Sequence, residues 1–277
     1  MAQAVPPPGD IDRPPDWALE RVPGLRPGVS ALRLERLGGG TVNEVFRVDS
    51  ALGRFVVRLD GPVWRRPGVD RARELTLHRA AAAAGLAPVL HVAMPEAHGL
   101  MITEYVEGRL WAADDYRNPA MLHRLGERLG ALHRLRVTGV ERFDPIQVAQ
   151  AYAAKIDAAH AEATAAVLRR LAALSGELRD SAVPTCVVHG DLYQGNLLQG
   201  SRLWLLDWEY AQVSDPLMDV ACVLAYYPAA QRYRRELAAA AGLDADAQAG
   251  PLAERVYAYR ALAWLWHLAR GEHADPP

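Results

Sequence analysis

The stretch from residue 187 to residue 219, VVHGDLYQGNLLQGSRLWLLDWEYAQVSDPLMD, constrains this chain most, because it sets His189, Asp191, Asn196, Asp207, Glu209, Asp215 and Asp219, groups able to hold a cation or move a proton, among short apolar runs and turns. Asp191 and Asn196 stand five residues apart in a Gly-rich polar segment, between the apolar run Cys186, Val187, Val188 and the pair Leu197, Leu198. That order reads as strand, loop, strand. Gly200 and Ser201 mark a turn before the apolar residues Leu203, Trp204, Leu205 and Leu206, so residues 197 to 206 are expected to form a hairpin. With its midpoint near Ser201, the pairing is expected to set Asn196 opposite Asp207, with Cβ atoms about 5 Å apart. Mg²⁺ takes a few oxygen ligands together with water and substrate phosphates, and a carboxylate beside an amide carbonyl suits it. Asn196 and Asp207 are therefore the candidate metal ligands. Asp191, slightly upstream, is a natural acceptor for a hydroxyl proton.

Each of these residues also has an ordinary reading, and only the joint spacing favours chemistry. A single loop aspartate most often serves a turn or a cap, and Asp215 before Pro216 is a common turn signature. Asp219 heads the apolar run 220–224 and reads as a helix N-cap. His189 reads as a residue that orients the loop, and Glu209 as one able to approach a metal or a substrate.

With 277 residues and 51% of them hydrophobic, the chain can bury a sizeable core as one large domain or two lobes. A net charge of −2 gives no sign of a nucleic-acid or membrane-surface partner. Cys186 and Cys222 both fall in apolar runs, without metal-ligand spacing, as free thiols packed like small hydrophobes do. No run of about 18 uncharged apolar residues suggests a membrane span, and no leader pattern opens the chain, so a cytoplasmic protein is expected. Residues 1–15 are rich in Pro, Gly and Asp and are expected to lack fixed structure.

The first half of the chain reads as strands. After Leu32, Leu34 and Leu37 come Gly38, Gly39, Gly40 and Thr41, then two alternating segments through Val48 and from Phe55 to Leu59. Backbone N–H groups of a Gly-rich turn can approach phosphates closely because no side chain intervenes. A helix is expected from Val69 to Ala84, ended by Gly85, and two more strands near Pro88 to Val92 and Leu100 to Glu104. Beyond Gly108 the pattern is helical almost throughout, with Leu122, Leu125, Leu129 and Leu132 on one face of a helix from Met121 to Leu135. A last helix, from Leu252 to Arg270, holds Tyr257, Tyr259, Trp264 and Trp266.

The arrangement of His189, Asp191, Asn196 and, after a hairpin, Asp207 resembles the catalytic and metal-binding loops of the protein-kinase-like phosphotransferases. Within that superfamily, HGDLYQGN followed by LLDWEYAQVSDPLMD is similar to the small-molecule kinases of the choline, ethanolamine and thiamine type. Its first half also resembles the aminoglycoside phosphotransferases. The resemblance implies an α+β, two-lobed kinase-like fold, with a small antiparallel sheet and one helix at 16–106 and a larger, mainly helical lobe at 107–277. It implies ATP and Mg²⁺ as cofactors, and transfer of a phosphoryl group to a hydroxyl of a small cationic molecule. Catalysis falls to Asp191 with His189, metal binding to Asn196 and Asp207, and bracing of the loop to Asp219. The 38–41 turn would cover the phosphates. Arg58 stands where the family commonly has lysine, a position at which arginine is a good bidentate phosphate partner, and Glu74 would pair with it. In MITEYVEG, the residues Met101, Glu104 and Val106 would hold the adenine. Trp208, Glu209, Asp215, Trp264 and Trp266, with Tyr226 and Tyr227, are the candidate acceptor contacts, as an aromatic cage for a cation with negative charge nearby. Two other readings stay open: an antibiotic O-phosphotransferase, and a kinase-fold nucleotide-binding module without turnover. A protein kinase is disfavoured, because DWEYA replaces the usual opening of an activation segment. The sequence names neither the acceptor nor the oligomeric state.

Overall fold

The computed structural model describes residues 12–37, 43–61, 67–95, 99–180 and 184–277. Gly38, Gly39, Gly40 and Thr41 lie outside the described residues, as do residues 1–11. The chain divides into two compact units, Met1–Gly108 and Arg109–Pro277.

The first unit opens with a single helical turn, α1 (Asp16–Leu19), followed by β1 (Arg33–Arg36), β2 (Asn43–Ser50) and β3 (Gly53–Asp60). Helix α2 (Arg71–Ala83) precedes β4 (Leu90–Met94) and β5 (Leu100–Glu104). The five strands form one antiparallel sheet in the order β1-β2-β3-β5-β4. Period-two alternation sends Phe46, Val48, Phe55 and Val57 to one face, where they meet Leu100 and Ile102 and are covered by Ala18, Val22 and Leu25. Asp70 caps α2 by accepting the N–H groups of Ala72 and Arg73 at 2.9 and 3.0 Å, which places the helix start just after it.

The second unit is mostly helical. After the two-residue strand β6 (Arg109–Leu110) and a 3₁₀ turn (Ala113–Arg117) come α3 (Pro119–His133), α4 (Pro145–Ala153) and α5 (Ala161–Asp180). Short strands β7 (Cys186–Val188), β8 (Leu197–Gln199), β9 (Leu203–Leu205) and β10 (Gln212–Ser214) frame the central stretch. Then follow α6 (Leu217–Tyr226), a 3₁₀ turn (Pro228–Tyr233), α7 (Arg234–Ala240) and α8 (Ala249–Ala269). Strand β7 pairs with β10, and β8 lies between β6 and β9, all antiparallel. Helix α3 starts where Asn118 caps it and Pro119 takes the first position, and its leucines at 122, 125, 129 and 132 are fully buried. A separate core joins α4, α5 and α8 through Tyr152, Leu171, Leu174, Leu178, Trp264, Leu265 and Leu268. Among the described residues no helix is long and apolar enough to cross a membrane.

Candidate active site

The loop from His189 to Asn196 is held from one side by α6. Asp219 accepts the N–H of His189 at 3.0 Å and that of Gly190 at 3.0 Å. Cys222 Sγ accepts the N–H of Leu192 at 3.2 Å, and Tyr226 donates its hydroxyl to Asp191 Oδ1 at 3.1 Å. These residues stand at i, i+3 and i+7, the spacing of one helix face. Just past the helix, Tyr227 accepts the N–H of Gln194 at 2.9 Å. Its ring stacks on Tyr116, with centroids 3.6 Å apart and planes 10° from parallel. Tyr116 in turn donates to the Leu192 carbonyl at 2.7 Å. Of this scaffold the resemblance implied only the bracing by Asp219, and Cys222 and Tyr116 gave no sequence signal.

Asp219 is not the N-cap of α6. Its place is two residues inside the helix, which starts at Leu217, and Asp215 accepts the Leu217 N–H at 2.8 Å instead. Asp219 is fully buried and also pairs with His133 Nε2 at 3.0 Å, so its carboxylate binds the loop. His189 is a positioning residue. It is fully buried, its Nε2 lies 2.9 Å from the Leu206 carbonyl, and its Nδ1 lies 3.3 Å from the Asp191 N. A carbonyl can only accept, so Nε2 donates, and Nδ1 accepts from the backbone. Both ring nitrogens are occupied in joining the loop to the end of β9. Gly190 has a φ of 75°, and a Cβ there would meet the Tyr210 carbonyl oxygen at 2.6 Å, so the loop requires glycine at this point.

The β8–β9 hairpin pairs Leu197 with Leu205, Leu198 with Trp204 and Gln199 with Leu203. Asn196 therefore faces Leu206, whose N–H it accepts at 2.8 Å, and not Asp207 as expected. The turn is centred on Ser201, and Asp207 falls one residue beyond the pairing. Asp207 instead takes a left-handed backbone, φ 56°, alone among the described non-glycine residues, which re-aims its side chain after the strand ends. The Asn196 amide donates to the Asp191 carbonyl at 3.0 Å and to Asp191 Oδ2 at 2.8 Å. With its NH₂ spent, Asn196 has its amide oxygen left to offer a cation. An amide oxygen and a half-buried carboxylate are hard donors that fit Mg²⁺. Among the described residues no group of three His, Cys, Asp or Glu side chains could hold a metal, so the remaining ligands would come from substrate and water.

In the first unit, four charges, three of them buried and Arg58 half-buried, form a chain. Arg58 on β3 pairs with Glu74 on α2 at 2.6 Å, and Arg71 pairs with Glu74 at 2.5 Å and bidentately with Asp60 at 2.6 and 2.9 Å. Burial works against the Glu74 carboxylate, but Arg58 and Arg71 outweigh it and hold its pKa at about 2. Burial pushes the Asp60 carboxyl the other way, above its ordinary range, despite Arg71. Met101, opposite Arg58 in the β3–β5 register, turns its sulfur to Arg58 Nη2 at 2.9 Å. Glu104 ends β5 and accepts the Val89 N–H at 2.9 Å, and Val106 lies just beyond, half-buried.

The aromatic cage does not form where expected. Trp208 is fully buried, donates to the Leu205 carbonyl at 3.0 Å and lies edge-on to His189. Trp264 belongs to the core shared with α4 and α5, and Trp266 packs against that core with Arg270 over its ring. Glu209 is buried, and Asp215 is committed to Arg255 at 3.0 Å and to the Leu217 N–H. Helix α8 is apolar on several sides, so its sequence pattern does not tell a packed face from a binding one. Two exposed rings stand at Asp191: Tyr226, which touches it, and Tyr193, two residues along the loop. Their centroids lie 6.3 Å apart, with planes inclined at 69°. Although part of the Tyr226 ring is exposed, its hydroxyl end packs against Asp191, and desolvation there together with the Asp191 charge pushes the hydroxyl well above its ordinary range, so Tyr226 remains a donor to Asp191.

A family model described as "Phosphotransferase enzyme family" matches residues 33–265. No curated protein matches. A choline/ethanolamine kinase family protein from Mesorhizobium loti is 27% identical, with a TM-score of 0.73 over 94% of this chain and 87% of its own. The choline kinase LicA from Streptococcus pneumoniae is 20% identical, with a TM-score of 0.68 over 89% of each chain. A thermostable mutant of aminoglycoside phosphotransferase APH(4)-Ia, in a ternary complex with AMP-PNP and hygromycin B, is 18% identical, with a TM-score of 0.65 over 92% of this chain and 91% of its own.

Proposed function

Because the chain belongs to the phosphotransferase enzyme family, we propose that it transfers the γ-phosphoryl group of ATP to a hydroxyl of a small cationic acceptor, of the choline, ethanolamine or thiamine type. The observation that carries this reading is the placement of Asp191: a carboxylate oriented by Asn196 and Tyr226, beside two exposed tyrosine rings. Cation–π attraction to Tyr193 and Tyr226, added to the charge of Asp191, would favour an ammonium on the acceptor.

In this mechanism Asp191 receives the proton of the acceptor hydroxyl as that oxygen bonds to the γ-phosphorus and the bond to the β-phosphate oxygen breaks, releasing ADP. Asn196 and Asp207 would hold Mg²⁺, which when bound neutralises and orients phosphate oxygens. Arg58, steadied by Glu74, supplies positive charge for the phosphates, and Met101, Glu104 and Val106 border the base. His189 and Asp219 keep the loop in shape, and catalysis of this kind depends mainly on such positioning. The two buried thiols, Cys186 and Cys222, suit a reducing compartment such as the cytoplasm.

The test is Mg²⁺-dependent ADP release by the purified protein against choline, ethanolamine, thiamine, sugars and aminoglycosides, with Asp191→Asn as the blank. Release with an amino alcohol that vanishes in the blank supports the reading. Release with aminoglycosides alone moves the assignment to antibiotic phosphorylation, a reading favoured by the hygromycin-bound neighbour. ATP binding with no transfer to any acceptor supports a nucleotide-binding module.

A further inference from the structure

A broad, open depression of about 630 Å³ lies in the second unit between the 3₁₀ turns Ala113–Arg117 and Pro228–Tyr233, lined by Arg117, Pro228, Ala229, Gln231, Arg232 and Arg234. Three arginines and a glutamine thus line one space whose lining includes no carboxylate. The carboxylates within reach do little to cancel this charge. Asp114 meets Arg117 at 3.1 Å but is 86% exposed, and Asp246 meets Arg234 at only 3.5 Å while pairing with Arg235 at 2.8 Å. Exposed pairs of this kind are weak and readily exchanged for a better anion. Arg232 is spread over the Tyr233 ring, 4.6 Å from its centroid, which leaves the guanidinium edge for hydrogen bonding.

The pocket is tied to the Asp191 loop through the chain: Arg117 directly follows Tyr116 and Pro228 directly follows Tyr227, and this stacked tyrosine pair bonds the loop at Leu192 and Gln194. We propose that this pocket binds the anionic group, phosphate or carboxylate, of a small molecule. Planar guanidinium forks match such groups bidentately. The anion has two possible sources: a second charged end of the acceptor itself, or a separate effector. The first source rests on the phosphotransferase reading, and anion binding as such does not.

The test is calorimetric titration of inorganic phosphate into the full chain saturated with AMP-PNP, so that the nucleotide site is filled. It is run on the unaltered protein and on the double variant Arg117→Gln/Arg232→Gln. Both arginines are exposed, and a thermal melt confirms that the variant is folded. The expected result is binding that weakens with added salt and falls by more than about tenfold in the variant. No phosphate binding, or equal binding by both proteins, overturns the proposal. Paired acceptors with and without a carboxylate or phosphate then separate the sources. A raised KM in the variant for the anionic member alone assigns the pocket to the acceptor, whereas an unchanged KM with turnover that responds to free phosphate assigns it to an effector. If no acceptor is phosphorylated, the titration still decides the pocket, so its failure and that of the phosphotransferase reading remain distinct.

Discussion

The two units steady their functional groups in opposite ways. In the first, a side chain, Arg58, is fixed by buried charge through Glu74, Arg71 and Asp60. In the second, a stretch of backbone is fixed by mostly neutral hydrogen bonds from one helix face and a stacked ring pair, to which Asp219 adds a buried carboxylate. Buried charges are costly to leave unpaired, so damage to the first network should be read in stability. A loop held by many modest bonds can lose one and remain folded, so damage to the second should be read in rate.

The largest effects should fall on the loop and spare the fold. Asp191→Asn is expected to lower kcat by about 10²–10⁴-fold, the usual contribution of a general base, with an unchanged melting temperature. Asp207→Ala is expected to abolish turnover without unfolding the protein. Because Asp207 is left-handed, Asp207→Asn is the cleaner probe: it removes the charge and keeps a residue that tolerates this backbone. Near-normal activity in both Asp207 variants would sink the metal assignment.

Arg71→Leu tests the other side of the contrast. It leaves Asp60 without its bidentate partner and Glu74 with Arg58 alone, and should cost about 3–5 kcal/mol in denaturant unfolding. A loss below about 1 kcal/mol would show that the network is not held by charge. The same network predicts the response to acid. Glu74 is held at about 2 against an ordinary 4.5, so its contribution to stability is complete above pH 4.5 and is lost as the pH falls toward 2. Glu74→Gln should flatten that part of the stability profile, measured as urea midpoint against pH. Gly190→Ala, strained and in contact with the Tyr210 carbonyl, is expected to cost about 1–3 kcal/mol and to lower kcat as well. The smallest effect is expected for Tyr227→Phe, which removes the acceptor of the Gln194 N–H: about 1 kcal/mol, with a modest fall in kcat and an unchanged KM for ATP.

What could be read from the chain was local. Alternation around Phe46, Val48, Phe55 and Val57 announced the sheet, and the Leu122–Leu125–Leu129–Leu132 series announced α3. The spacing of Asp191, Asn196 and Asp207 announced a loop and a hairpin. The pairing within that hairpin was misjudged by one residue, because a turn centred on Ser201 sets Asn196 against Leu206 and sends Asp207 past the strand. The local reading of Asp219 as a cap fails because its partners, the N–H groups of His189 and Gly190, lie about thirty residues earlier, where no local pattern reports them; the bracing of the loop that the resemblance implies agrees with these bonds. The tryptophans of α8 were misplaced for a related reason: helical spacing shows that a face is apolar, and not what covers it.

Arg58 carries one more consequence, in the chemistry of labelling. Reagents that deliver an acyl group from a nucleotide phosphate to a neighbouring amine need a lysine. Unit one has none, and Lys155, the only lysine in the chain, is exposed in the turn after α4 in the other unit. A guanidinium stays protonated and non-nucleophilic up to strongly alkaline pH. With Arg58 in its proposed place at the phosphates, this chain would pass unseen through a survey that finds kinases by tagging a lysine there.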